Sequence, residues 1–286
     1  MKTISKLMHF TAVGVIALSI GLTSCKKKAK DEPEPDPDLT TERDLSNSEN
    51  DMNSVSSDID RAFDDNTSSN LREEAGSYAT IVRKDSVTVK DGITYDKYTT
   101  IIYSGSGNDG QTRSGNIEIF HKGQRTTGDL IAYITLANTK VGGRSISVIK
   151  KMVQQTSNDP NKWIFNIVAN GSISNIDGRS MTYTANKTRA RSGINTVNNI
   201  TDDSFTITGN WSGTNGQGES VSANISSPLQ LSYGCHFFRE ITAGRIDFSN
   251  LSKGVTRSID YGNGGCDGKG TFINTKGKQF TFYFQR

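Results

Sequence analysis

From about Ser77 to the C-terminus, apolar and polar residues alternate one for one. Trp163, Phe165 and Ile167 interleave with Ile164, Asn166 and Val168. Met181, Tyr183 and Ala185 interleave with Thr182, Thr184 and Asn186, and Phe280, Phe282 and Phe284 with Gln279, Thr281 and Tyr283. A strand with one buried and one wet face produces this period of two. The breaks carry hairpin chemistry: Asp91-Gly92, Asp109-Gly110, Asp177-Gly178, Asn215-Gly216, Asp267-Gly268 and Lys276-Gly277. Positive φ at such turns calls for Gly, Asn or Asp. Short strands on short turns make neighbours antiparallel, so the expected fold is all-β, a meander of about a dozen strands. Curved sheet, barrel and sandwich all satisfy the pattern. Glycine-flanked hairpins recur near residues 105, 171, 209 and 262 without the fixed period of a solenoid.

Upstream the period changes. Met52, Val55, Ile59 and Phe63 recur at spacings of 3, 4 and 4 in an otherwise acidic stretch, which predicts one amphipathic helix over 48–64. Ser48 with Asp51 is its cap. So narrow a stripe predicts a helix packed against the sheet, covering an end or an edge. A partner-binding helix is the alternative.

The chain opens with Lys2 and Lys6, an uncharged run from Leu7 to Ser24, and Leu22-Thr23-Ser24-Cys25. Basic n-region, apolar h-region and small-residue cleavage site make a secretory signal, and the cysteine at the cut makes it a lipobox with Cys25 as the acylated residue. A short transmembrane helix is the competing reading, weakened by Gly14, Gly21 and several hydroxyl residues. The expected divisions are a signal peptide at 1–24, an acidic Pro-rich tether at 25–46, the helix and a linker at 47–75, and a β domain at 76–286. Three of the five prolines lie in the tether, which should be extended and coreless. Lys26 after the cysteine favours the outer membrane. Lys30-Asp31-Glu32 resembles the export signal of Bacteroidota surface lipoproteins. The expected location is therefore the outer membrane, lipid-anchored on its periplasmic or extracellular face, with a lean towards the outside.

Apolar content is 33%, and the abundance of Gly, Ser, Thr and Asn suits many strands with one wet face. Charge divides unevenly: residues 25–75 hold 15 acidic and 7 basic side chains, residues 76–286 hold 15 acidic and 24 basic. A β domain of net +9 could meet lipid A phosphates or acidic glycan. The blander reading, that its cations keep strand edges soluble, is preferred.

Candidate chemistry is sparse. With Cys25 acylated, Cys235 and Cys266 remain as a pair in an oxidising compartment, where a disulfide is expected. No metal site is expected, since after processing only His121 and His236 are left and no Cys-x-x-Cys or His-x-x-His occurs. Gly105-Ser106-Gly107-Asn108-Asp109-Gly110 spells a dinucleotide fingerprint, but a strand rather than a helix follows, so it reads as a hairpin. Asp260, Asn263 and Asp267 are oxygen donors in a Gly-rich loop at no standard Ca²⁺ spacing, and read as turn residues. Neither histidine is placed to act as a base. Arg179, Lys187, Arg189 and Arg191 share one parity and form a candidate polyanion patch; a solvated strand edge is the alternative. Trp163, Trp211, Tyr183 and Tyr233 are either a sugar-stacking platform or core. No cofactor and no nucleic-acid partner is expected.

Asp260-Tyr261-Gly262-Asn263-Gly264-Gly265-Cys266-Asp267, with the hairpins at Asp109–Gly115 and Gly209–Gly216, resembles the pattern of uncharacterised Bacteroidota lipoproteins with a C-terminal Asp-aromatic-Gly-x-Gly-x-Cys-Asp segment. That resemblance implies compartment and fold, without an activity. Asp85-Ser86-Val87 likewise resembles a Bacteroidota O-glycosylation acceptor. The functional expectation is a non-enzymatic, lipid-anchored outer-membrane or surface lipoprotein whose β domain binds or scaffolds glycan, lipid A phosphates or another surface protein. Alternatives are a periplasmic carrier of a lipid or other apolar ligand, and a glycan-active enzyme with two facing carboxylates.

Overall fold

Among the described residues fourteen strands follow one another in chain order across a single antiparallel sheet, as turn-punctuated alternation requires. The computed structural model describes residues 39–63, 70–73, 76–107, 110–175, 177–194, 203–232, 235 and 241–283. Cys25, the signal, the segment of the tether before residue 39, His236 and Tyr233 lie outside the described residues. The strands are β1 (Asn70–Glu73), β2 (Gly76–Lys90), β3 (Ile93–Ser106), β4 (Thr112–Lys122), β5 (Ile131–Val141), β6 (Arg144–Gln155) and β7 (Lys162–Ser174). They continue as β8 (Ser180–Ser192), β9 (Ser204–Thr214), β10 (Ser220–Ser232), β11 (Ile241–Asn250), β12 (Val255–Asn263), β13 (Lys269–Ile273) and β14 (Gln279–Tyr283). Among the described residues no ladder joins β14 back to β1, so the sheet is open and curved, neither barrel nor sandwich.

The local chemistry is the expected one. Asp91 and Gly92 both take positive φ, 50° and 75°, which matches the twist of the hairpin they close. β3 and β4 pair antiparallel down to Ser106 opposite Thr112, so a strand and not a helix follows this glycine-rich stretch. Inward positions of β8 (Met181, Tyr183, Ala185) are buried while Thr182, Thr184 and Asn186 are exposed.

The helix is where expectation and structure part. It begins at Leu39, inside the stretch read as tether, and runs to Phe63 as α1, 25 residues long. It covers neither an end nor an edge: it lies inside the curve of the sheet. Met52, Val55 and Ile59 are buried as the stripe predicts and Phe63 partly so, but Leu45 and Ala62 are buried as well, and so are Ser46, Ser48 and Ser57 and five of the carboxylates. Every residue from Asp51 to Asp60 is buried. A polar helix face can go inside only where partners meet it, and here the concave face of the sheet supplies them. Around this shared interior pack Ile101, Ile117, Ile134, Phe165, Phe205 and Phe272. Full burial of each such side chain contributes about 1.5–3 kcal/mol.

Candidate functional site

The carboxylates of α1 come in three doublets two residues apart: Glu42 and Asp44, Glu49 and Asp51, Asp58 and Asp60. Two residues turn a helix by about 200°, so the members of a doublet face nearly opposite walls. Glu42 accepts from Arg257 of β12 at 2.8 Å, while Asp44 faces Arg179 in the β7–β8 turn at 3.3 Å. Glu49 accepts from Lys187 of β8, and Asp51 takes a two-pronged guanidinium from Arg144 of β6. Asp58 accepts the hydroxyls of Tyr78 and Tyr103 at 2.6 and 2.8 Å and lies 3.5 Å from Arg113 of β4. Asp60 is held between Arg125 and Arg189. Arg125 also donates to the Asp60 carbonyl at 2.9 Å and Arg83 to the Ala62 carbonyl at 3.0 Å, so cations cap the negative end of the helix dipole.

Among the described residues eight cations and six carboxylates are buried. One of those carboxylates, Asp203, belongs to the β domain and pairs with Arg191; the other five belong to α1. Seven of the nine net positive charges of residues 76–286 are therefore internal, and six of those cations meet a carboxylate of α1. The protonation states follow. Burial alone would raise the Asp60 carboxyl, but Arg189 and Arg125 outweigh it and hold the group below the ordinary carboxylate range. Burial disfavours the Lys187 cation, yet Glu49 and Tyr183 keep it charged far past its usual range. Among the described residues Lys150 has no carboxylate in contact. It donates to Ser56 Oγ at 2.8 Å, and burial, with Arg189 and Lys187 beside it, brings its amine down to about 7.

The candidate polyanion patch is thus corrected. Lys187, Arg189 and Arg191 share a parity because they share the buried face, and each is paired there. Arg179 alone is half-exposed, and it pairs with Asp177 and Asp44. The stacking-platform reading gives way as well, since Tyr183 and Trp211 are core and Trp163 lies beside the Arg125 and Arg191 guanidiniums. Asp260 caps its own turn through the Gly262 N–H, and Asp267 pairs with Lys269. His121 stands edge-on to Phe63, with Thr99 at 3.3 Å. Cys235 and Cys266 are joined by a disulfide. Asp85-Ser86-Val87 sits at an irregularity in β2, with Val87 79% exposed.

On the convex side, the tip of the β2–β3 hairpin lies over the neighbouring strands. Asp91 pairs with Lys151 of β6, Tyr95 is buried 6.5 Å from the Tyr133 ring, and Lys90 rests 4.7 Å from the Phe120 centroid. Beyond this covered part the outer face of β7 to β10 is exposed, among the described residues, at Asn170, Thr184 and Asn210.

Comparison of the chain with protein-family models, with curated proteins and with solved structures finds no match.

Proposed function

We propose that this protein is a lipid-anchored outer-membrane or surface lipoprotein whose β domain serves as a non-enzymatic binding or scaffolding module. Cys25 carries the acyl chains, and residues 26 to 38 form the stalk. The observation that carries the reading is the occupied interior: α1, directly after the stalk, lies inside the curve of the sheet and pairs its carboxylates with six of the buried cations there. What remains for a partner is the convex face. A carrier role would require α1 to leave, stranding its cations. Breaking a buried ion pair from one side costs about 3–5 kcal/mol. Several such losses together exceed the about 5–15 kcal/mol that holds a domain folded. The same balance favours a permanent core helix over one released to a partner.

The test is metabolic labelling with an alkyne fatty acid in cells making the wild type or Cys25→Ser. Label on the wild type, none on the variant, and loss of the variant from the outer-membrane fraction are expected. An unlabelled wild type that keeps residues 1–24 would overturn the anchoring. Protease shaving of intact cells then distinguishes the outer from the periplasmic face.

A further inference from the structure

We propose that the outer face of β7 to β10 binds a neutral polysaccharide, with Asn186, Asn210 and Asn224 as its central hydrogen-bonding ladder. This rests on the reading of the protein as an anchored binding module, and adds the surface and the ligand class.

The face is defined by what it lacks. From Trp163 to the end of β7, and throughout β9 and β10, there is no Asp, Glu, Lys, Arg or His. β8 holds three cations, and all three are buried on the inner face. Four adjacent strands therefore turn no charged group outward beyond Lys162, at the very start of β7. Charge returns on both flanks, at Lys151 on β6 and at Arg245 and Asp247 on β11. Protein surfaces ordinarily intersperse charges of both signs, as the flanking strands do.

What the face offers instead is register. Asn186 lies opposite Asn210, and Asn210 opposite Asn224, so three exposed amides stand in line across three strands. Thr188 opposite Thr208 makes a parallel row, and Thr184 opposite Ser212 makes another. Neighbouring groups in a row are about 4.8 Å apart and the rows about 6.7 Å apart. Each amide supplies two donors and an acceptor, and each hydroxyl supplies both kinds.

Charge selects the partner. A polyanion is held by cations through charge-assisted bonds, and the face presents none. A protein partner is anchored by buried aromatic and Arg hot spots, which are also missing. An apolar surface would strand the amides without partners. An uncharged chain rich in hydroxyls matches donors and acceptors alike, and a polymer spanning several rows adds weak contacts into avidity.

The experiment is affinity electrophoresis of the full mature chain in native gels cast with dextran, galactomannan or polygalacturonate. Retardation by a neutral polymer and none by polygalacturonate is expected. The variant Asn186→Glu/Asn210→Glu should weaken retardation about tenfold or more, while Lys151→Ala leaves it unchanged. Should the double variant lose its sheet spectrum in circular dichroism, Thr208→Lys applies the same test. The proposal is overturned if no neutral polymer retards the wild type, if polygalacturonate retards it equally, or if a folded face variant still binds. An acylated, membrane-held chain that no neutral polymer retards would overturn this inference alone and leave the anchoring standing.

Discussion

Glu49 places both carboxylate oxygens on the ammonium of Lys187, at 2.7 and 2.5 Å, across 138 residues of chain. Both groups are buried and Tyr183 completes the site at 3.0 Å. Glu49→Gln should cost about 3–5 kcal/mol in urea unfolding, because it leaves a buried ammonium without its counter-charge. The double variant Glu49→Met/Lys187→Met should recover most of that loss. A double variant as unstable as the single one would show that the pair is not what α1 depends on here.

Lys150 should make stability depend on pH on the alkaline side. Its amine titrates at about 7 in the folded chain and near 10.4 when unfolded. Between those values the unfolded state binds more protons, so stability rises with pH from 7 upward and levels off above the unfolded value. Below 7 both states are protonated, and the full penalty of the buried cation is present. Facing the amine are Arg189, Lys187, Asp60 and Glu49 together with Ser56. Lys150→Met should stabilise the protein at pH 6 by up to about 5 kcal/mol and flatten the rise from 7 to 10, read as melting temperature against pH.

Gly209 carries a backbone constraint on β9. Its φ is +119°, and a Cβ there would meet the Asn186 carbonyl oxygen at 2.3 Å and the Lys187 Cα at 2.8 Å. Gly209→Ala should therefore cost roughly 2–4 kcal/mol. Gly218, at φ +77° in an open turn with nothing within 4 Å, should cost only about 1 kcal/mol on the same change. Denaturant midpoints of the two variants check the contrast.

The disulfide closes 31 residues containing β11 and β12. Its removal in Cys235→Ser/Cys266→Ser should cost about 3–4 kcal/mol on the chain-entropy estimate. Hydrogen exchange should rise first in those two strands, while the β3–β8 amides keep their protection.

Strands and turns were legible because a period of two and Asp-Gly dipeptides are local signals. Alternation over Met181 to Asn186 needs no distant residue to be read. The position of α1 was not local. Met52, Val55, Ile59 and Phe63 announce one buried side, whereas the opposite side is buried through cations 55 to 215 residues away. A clue was nonetheless present: Lys187, Arg189 and Arg191 share the parity of Met181, Tyr183 and Ala185, and Lys150 that of Val148 and Met152. Cations on an apolar parity must find counter-charge inside, and the acidic doublets of residues 42–60 were the supply. The neutral outer face was equally readable, as the absence of charge from β9 and β10.

The enclosed helix also sets an order of events during synthesis. α1 is made before the strands, yet a helix of that length is only marginal without packing, and its partners arrive strand by strand. Asp58 meets Arg113 early, whereas Glu42 must wait for the guanidinium of Arg257, 215 residues later. The meander can zip between neighbours as it emerges, since its pairings are between consecutive strands. The innermost segment is thus made before the sheet around it and locked only when that sheet is finished.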